Sequence, residues 1–248
     1  MQIIANVFGT ILRFIYENIS HVMAEPKSIS YFAISILLLT LIYKLITLPV
    51  TIHTQKTQEQ NALMQPEMKE IQRKYKNDPQ TQQLKMQELY KKYNFNPLSG
   101  CLPIILQMVL VFALFRVMRE PGKYMFDNVS KINEIARNFF WIPDLTKPDP
   151  VLFGLPLINA FTQFLVAKIS MPTNNNKDKK SNEPDQMEMM NKSMIYFMPI
   201  FMFFISSKYA SGLILYWAFS NVIEVLIRLI IKNKDKKDVA EEVRWEAQ

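Results

Sequence analysis

With 248 residues, of which 49% are apolar, the chain is long enough for one helical bundle, and its single cysteine excludes an intrachain disulfide and a cysteine-based zinc cluster. Two isolated histidines are too few for a histidine metal site, and the sequence contains no nucleotide-binding loop or hydrolase motif. We therefore expect no enzyme, no catalytic residue, no cofactor and no metal. The net charge of +7 arises mainly from polar loops, which favours a membrane topology over a DNA partner.

Residues 1–29 precede the first long apolar block and do not resemble a cleaved signal peptide. No basic residue precedes their apolar run, and no small-residue cleavage site follows it. Their apolar residues recur on one helical face, which predicts an amphipathic helix lying on the outer surface of a membrane. The alternative is a poorly ordered lead-in. The residues of this face are Ile4, Val7, Phe8, Ile11, Leu12 and Ile15.

Five apolar blocks follow along the chain and are separated by polar stretches. A spanning helix needs about 20 mainly apolar residues to cross a hydrocarbon core of about 30 Å. The sequence therefore predicts an all-α membrane protein in which five transmembrane helices form a bundle. The predicted spans are residues 30–52, 97–118, 151–171, 190–206 and 211–231.

The stretch between the first two spans, residues 53–96, is polar but keeps apolar residues at helical spacing. Met64 and Met68 belong to the first half, Asn77-Asp78-Pro79 interrupts the pattern, and Leu89 belongs to the second half. This pattern predicts a hairpin of two amphipathic helices outside the membrane. Pro66 is expected to bend or restart the first of them.

Lys and Arg residues are distributed unevenly among the segments between the spans. They number 18 in the hairpin, in the region around 172–192 and in the charged tail, against 7 in the remaining segments. Because cytoplasmic loops carry the excess of basic residues, the hairpin, the 172–189 loop and the 232–248 tail are predicted to be cytoplasmic. Residues 119–150 and the N-terminus are then extracytoplasmic.

Lys44 is the most informative polar residue, because it lies inside the first predicted span. A lysine at that depth costs about 2.5 kcal/mol or more, so we expect it to face a cavity or a partner. Thr40 and Thr47 lie on the same helical face. The alternative is that Lys44 reaches the nearby cytoplasmic interface with its long side chain.

The last span carries a second polar face. Trp217, Asn221, Glu224 and Arg228 follow one another at spacings of four, three and four residues. Glu224 is a partner for either Lys44 or Arg228, and Arg228 also has the option of reaching the interface.

Further polar residues lie in the second and third spans. Each of them alone is more often a contact between helices, but together with the two polar faces they predict a hydrated cavity. The residues are Gln107, Asn159 and Gln163.

Three segments resemble the YidC/Oxa/Alb membrane protein insertase family in order and spacing. They are NPLSGCLPIILQ at 96–107, FWIPDL at 140–145 with Asp149-Pro150, and SGLILYW at 211–217 with Ser220-Asn221. The resemblance extends from about residue 30 to 231. It implies a bundle with a hydrophilic groove that is open to the cytoplasm and the lipid, and a mobile cytoplasmic hairpin.

The resemblance also implies the function and the partners. The expected function is insertion of hydrophobic segments of nascent proteins into the bilayer without nucleotide hydrolysis, with a chaperone role beside the Sec translocon. The implied partners are nascent membrane proteins, the translating ribosome, the Sec translocon, the signal recognition particle pathway and membrane lipids. The implied location is the plasma membrane, and the large extracytoplasmic domain of Gram-negative members is missing, as in the shorter Gram-positive type.

Among the site residues, the resemblance places Thr40 and Trp217 along the substrate path. The family carries one basic residue in the groove, normally arginine, and Lys44 occupies that position. This departure keeps the charge but loses the planar, multi-donor guanidinium.

Two other classes of function fit some of these features. A small ion or solute transporter also contains polar residues in the membrane, but inverted repeats or broken helices are not found in the sequence. A purely structural assembly factor would not need a buried cation.

Overall fold

The computed structural model describes residues 2–22, 24–96, 102–126, 132, 134–170 and 186–246. In this part of the chain the fold is all-α, as predicted. The predictions for Cys101, for the start of the second span at 97–101 and for most of the 172–189 loop concern residues outside these ranges. The helices are α1 (Gln2–Val22), α2 (Tyr31–Lys74), α3 (Pro79–Lys92), α4 (Leu102–Arg119), α5 (Pro121–Tyr124), α6 (Leu155–Ser170), α7 (Gln186–Ser206) and α8 (Ser211–Glu246).

The N-terminal segment forms the helix α1, so it is not a poorly ordered lead-in. One of its faces packs on α2, α4 and α5, where Gly9 lies so close to the backbone of Tyr124 that a Cβ atom would overlap it. The opposite face leaves Val7 and Phe14 exposed. The apolar residues of α1 therefore serve two surfaces, one against the bundle and one facing outward. The position of α1 on a membrane surface stays a prediction.

Helix α2 continues without a break from Tyr31 to Lys74, so the structure joins the first predicted span to the first half of the hairpin. Pro49 and Pro66 both lie inside it. Pro66 does not restart the helix. Residues 50–60 contain no glycine, proline or asparagine that would end a helix, and the change from apolar to polar residues there changes only the surroundings of the helix.

Helix α3 folds back on the last turns of α2. Met64 and Met68 of α2 and Leu89 of α3 are buried together in a small apolar cluster. The turn between the helices ends at Asp78, whose side chain accepts a hydrogen bond of 3.1 Å from the backbone N–H of Thr81 and thereby caps α3. These contacts account for the interrupted apolar pattern between 64 and 93. The cytoplasmic location of the pair stays a prediction.

The segment 134–150 holds the first residues of α2 and α8 side by side. The hydroxyl of Ser30, which caps α2, donates to the carbonyl of Asn138 at 2.8 Å. At the start of α8 the N–H of Ser211 donates to the carbonyl of Lys147 at 2.8 Å, and the N–H of Gly212 donates to that of Leu145 at 2.7 Å. Both helices therefore begin at the same end of the bundle and run in the same direction.

Large apolar side chains are exposed on the outward faces of five helices, α2, α4, α6, α7 and α8. In a soluble protein such extensive apolar exposure is unfavourable, whereas in lipid it is expected. By length and composition, α2 and the 211–231 part of α8 are apolar enough to cross a membrane, and Leu155–Ser170 and Ile195–Ser206 are shorter apolar helices. The count of five spans stays a prediction. Examples of the exposed residues are Leu45, Ile46, Ile104, Phe112, Leu157, Phe161, Phe197, Phe204, Leu226 and Ile230.

Candidate functional site

Lys44 forms a salt bridge across the bundle to Glu224 of α8. Its Nζ lies 2.9 Å from Oε2 of Glu224, and the two side chains are only 10% and 13% exposed. The ammonium group therefore does not extend along α2 toward the interface. Lys44 follows Tyr31 by 13 residues and Glu224 follows Ser211 by the same 13, so both lie about 20 Å along helices that begin together.

Arg228 binds the other oxygen of the same carboxylate. Its Nε lies 2.8 Å from Oε1 of Glu224, one helical turn earlier on α8, and its Nη1 donates to Oε1 of Gln58 on α2 at 2.9 Å. Glu224 thus pairs with both cations at once, and Arg228 is buried. We call Lys44, Gln58, Glu224 and Arg228 the charge cluster. Two cations share one anion, so its formal charge is +1.

The polar face of α2 extends beyond the residues that the sequence analysis singled out. Gln58 lies 14 residues after Lys44, close to four complete turns, and is therefore on the same face. This spacing was the available signal for Gln58, but the prediction ended that face at Thr47. Four further polar residues on this part of α2 are buried. They are Thr51, Thr54, Gln55 and Thr57.

The threonine hydroxyls on this face bond to their own helix. Thr40 donates to the carbonyl of Ile36 at 2.6 Å, and Thr47 donates to that of Tyr43 at 2.9 Å. Thr40 is fully buried. These hydroxyls therefore keep lone pairs as acceptors but have used their hydrogen atoms, and the charge cluster does not include them.

Asn159 and Asn221 belong to a separate polar cluster that joins α6, α7 and α8. Asn159 donates to the hydroxyl of Ser206 at 2.8 Å, and Asn221 donates to the hydroxyl of Thr162 at 3.3 Å and to Oδ1 of Asn159 at 3.5 Å. All four side chains are buried. This arrangement fits contact between helices, because buried amides and hydroxyls in apolar bundles bond to one another. Ser206 and Thr162 were not anticipated from the sequence.

The other predicted site residues are not joined to the charge cluster by a hydrogen bond in the described part of the chain. Gln107 of α4 donates to the hydroxyl of Tyr216 at 2.6 Å and so ties α4 to α8. Trp217 is half-buried against the apolar core, and Gln163 is half-buried on α6. The structure therefore joins Lys44 to Glu224 and Asn159 to Asn221 by direct contacts, whereas Gln107 binds Tyr216 instead. Among the described residues, no three His, Cys, Asp or Glu side chains are grouped as metal ligands.

Comparisons with known proteins agree with this architecture. The family model described as 60Kd inner membrane protein matches residues 24–238. A membrane protein insertase YidC from Fusobacterium nucleatum is 36% identical over 94% of this chain and 99% of its own length. The one from Clostridium tetani is 34% identical over 91% of this chain and 92% of its own length.

Other relatives are longer. The membrane protein insertase YidC from Treponema denticola is 35% identical over 85% of this chain, which spans only 36% of that protein. A crystal structure of an active YidC insertase with its first transmembrane domain resolved aligns with a TM-score of 0.51 and 25% identity, over 79% of this chain and 41% of that one. From the extent of these matches, the chain belongs to the 60Kd inner membrane protein family, which includes the bacterial YidC membrane protein insertases.

Proposed function

We propose that this protein inserts hydrophobic segments of nascent proteins into the lipid bilayer through a positively charged groove, without nucleotide hydrolysis. The single observation that carries the proposal is the charge cluster, which holds a formal charge of +1 between α2 and α8 inside a bundle with an apolar outer surface. Burying charges in such a bundle is costly, and charged residues inside a membrane bundle therefore indicate a functional site. The relatives from Fusobacterium nucleatum and Clostridium tetani, which match over nearly their whole length, carry the name membrane protein insertase, and this supports the same function.

The exposed apolar faces of α2, α4, α6, α7 and α8 support five spanning helices. The uneven distribution of Lys and Arg supports a plasma-membrane protein with its N-terminus outside and its hairpin and C-terminus in the cytoplasm. In that orientation the salt bridge between Lys44 and Glu224 lies about 20 Å from the outer ends of α2 and α8, and thus near the cytoplasmic side of a core about 30 Å thick.

In the proposed mechanism, a substrate segment slides along the lipid-facing side of α2 and α8. Its polar flank enters between the helices, where Lys44 and Arg228 attract carboxylates. The flank then has to cross only part of the hydrocarbon core. Burial of the segment in lipid drives its release, because each apolar residue contributes about 0.3–0.6 kcal/mol at the helix centre and a whole span contributes several kcal/mol. No chemical step is required.

The α2–α3 hairpin is the proposed contact for partners at the cytoplasmic face. Its surface carries many lysines, of which Lys74 ends α2 and Lys76 lies in the turn between α2 and α3. Such a basic tip suits the phosphates of a translating ribosome or of lipid head groups. Cooperation with the Sec translocon and the signal recognition particle pathway, and a chaperone role, belong to the same proposal.

The continuity of α2 favours insertion over transport of a small ion. Secondary transporters bind ions at interrupted helices near the middle of the membrane, whereas α2 and α8 are both continuous where they carry the charge cluster. In addition, the cations of the cluster are already bound to a carboxylate of the protein. A purely structural protein would not need the charge cluster, because apolar residues stabilise a bundle as well as a buried ion pair does.

Reconstitution in liposomes tests the proposed function. The purified protein is incorporated into vesicles, and a purified single-span substrate is added to them in the absence of nucleotides. Insertion is measured as protection of the substrate from protease. We expect more protection than in protein-free vesicles, and no ion flux. Insertion at the protein-free level would refute the proposal, and a specific ion flux without insertion would favour a transporter.

A further inference from the structure

We infer that Glu224 is an internal counter-ion that occupies the place of a substrate carboxylate, and that Arg228 is the residue that receives the incoming acidic flank. This inference rests on the proposed function and deepens it, since it names the residues that select acidic substrates. It assigns a role to two residues of α8 rather than to Lys44 alone.

The geometry of Glu224 is that of a bound ligand. One of its oxygens lies 2.9 Å from the ammonium of Lys44 and the other lies 2.8 Å from the guanidinium of Arg228. An Asp or Glu side chain of a substrate carries the same two oxygens at the same spacing. A carboxylate of the substrate can therefore make both contacts once Glu224 gives way.

Arg228 can receive a second carboxylate before Glu224 leaves. A guanidinium has five N–H donors, and in the described residues Arg228 uses one toward Glu224 and one toward Gln58. Three donors remain. The hydrogen bond to Gln58 also holds the guanidinium plane against α2, so that its remaining donors keep a defined direction. Exchange can then proceed through a shared state, without a bare cation in the apolar bundle.

The balance of charge leaves the cluster open to a second anion. The cluster holds two cations and one anion, so one positive charge has no counter-ion within it. The excess charge of +1 attracts an acidic flank, and the flank neutralises it. Because Glu224 competes for the same donors, the flank is held weakly enough to leave when its hydrophobic segment enters the lipid.

Gln55 is a further polar residue on the face of α2 that carries Gln58. The Oε1 atom of Gln55 is buried and accepts no hydrogen bond from any residue in the described part of the chain. Gln55 precedes Gln58 by three residues, about one turn. A buried acceptor of this kind is costly unless a donor reaches it, and the backbone N–H of an extended flank is such a donor. The face of α2 next to Arg228 therefore offers a hydrogen-bond acceptor to the backbone of a substrate flank.

The test compares Glu224→Gln, Arg228→Gln, Arg228→Lys and the double variant Glu224→Gln/Arg228→Gln in the liposome assay. Two substrates share one hydrophobic segment and differ only in an acidic or a neutral flank. The measured quantities are the ratio of the two insertion rates and the time for which the acidic substrate stays bound to the purified protein. Lys208→Gln is the matched control, since it removes an exposed lysine between α7 and α8.

We expect Arg228→Gln to lower the ratio of acidic to neutral insertion about tenfold and Arg228→Lys to restore part of it. Glu224→Gln should lengthen retention of the acidic substrate about tenfold. The double variant should recover much of the ratio that Arg228→Gln loses, because Lys44 is then no longer neutralised by Glu224. Lys208→Gln should behave as the native protein does.

Three outcomes would overturn the inference. The first is that Glu224→Gln lowers insertion of both substrates equally and leaves retention unchanged. The second is that the double variant is no better than Arg228→Gln, and the third is that the ratio does not respond to Arg228. In each of these cases the native protein still inserts the neutral-flank substrate, so the proposed function stands. If the native protein inserts neither substrate, the proposed function fails and the inference fails with it. Thermal unfolding in detergent identifies any variant that does not fold, and Glu224→Asp then replaces Glu224→Gln with an expected shift in the same direction.

Discussion

Replacing Lys44 with alanine removes one of the two cations that share Glu224 and changes the formal charge of the cluster from +1 to zero. The carboxylate keeps its contact with Arg228 at 2.8 Å, so it does not become an unpaired buried charge. The expected loss of stability is therefore that of one charge-assisted hydrogen bond, about 1.5–3 kcal/mol, and not the 3–5 kcal/mol or so of an uncompensated ion. The protein should remain folded.

The effect on substrates should depend on their charge. At an effective dielectric constant of about 20, two unit charges 4 Å apart interact by about 4 kcal/mol, and desolvation offsets much of this value. We expect a net loss of about 1–2 kcal/mol for an acidic flank, which corresponds to roughly tenfold slower insertion. Lys44→Arg should retain activity, because it keeps the charge and adds donors. Lys44→Glu should be the slowest variant, since it places a second carboxylate beside Glu224.

The assay measures insertion of matched acidic-flank and neutral-flank substrates by each variant in liposomes, and thermal unfolding of each variant in detergent. A neutral flank should respond much less, because hydrophobic transfer still drives it. Equal losses for the two substrates would refute the electrostatic role and leave Lys44 with a structural one. An unchanged rate for both would show that the charge of Lys44 has no part in insertion.

Three further predictions concern topology, packing and the hairpin. Single cysteines introduced at Glu134 and Gln80 should react with a membrane-impermeant reagent from opposite sides, and reaction from one side would contradict the predicted orientation. Asn221→Leu should lower the free energy of unfolding by about 0.6–1.7 kcal/mol, as for other interhelical hydrogen bonds, and an unchanged unfolding temperature would contradict its role between helices. The hydrogen bond from Tyr93 and the ammonium of Lys92 lower the pKa of Glu67 below its usual value. The contact should therefore stabilise the hairpin fully at a pH above the usual pKa of a glutamate, and this stabilisation should be lost as the pH falls through the lowered pKa. Proteolysis of the α2–α3 turn should then accelerate only in acid, and Glu67→Gln should remove this dependence on pH.

Local sequence patterns were sufficient for the type of structure and for part of the site. The apolar blocks predict helices and a membrane environment because both depend on the residues of one segment alone. The spacing of polar residues on α2 and α8 placed Lys44, Glu224 and Arg228 on polar faces. It left open whether Glu224 binds Lys44 or Arg228, since a periodic pattern defines a face but not the partner of that face.

The bounds of the elements needed more than local patterns. The sequence predicts a boundary near residue 52 because the composition changes there, but α2 continues to Lys74. Pro49 lies just before that boundary but inside the continuous helix, and hydrogen bonding within a helix is indifferent to whether its side chains face lipid or water. Composition marks the environment of a helix, whereas only breaking residues and tertiary contacts mark its ends.

The composition of the charge cluster was decided by tertiary structure. The segment 134–150 holds the starts of α2 and α8 together through the backbone of Asn138, Leu145 and Lys147, residues that lie far from Lys44 and Glu224 in the chain. That alignment gives two parallel helices the same origin, so residues at equal distances from it meet. The packing of the two helices also brings Gln58 of α2 to Arg228 of α8, although these residues lie at unequal distances from the two helix starts. The sequence by itself determined which side chains need a buried partner, and the packing of the helices determined which partner each one has.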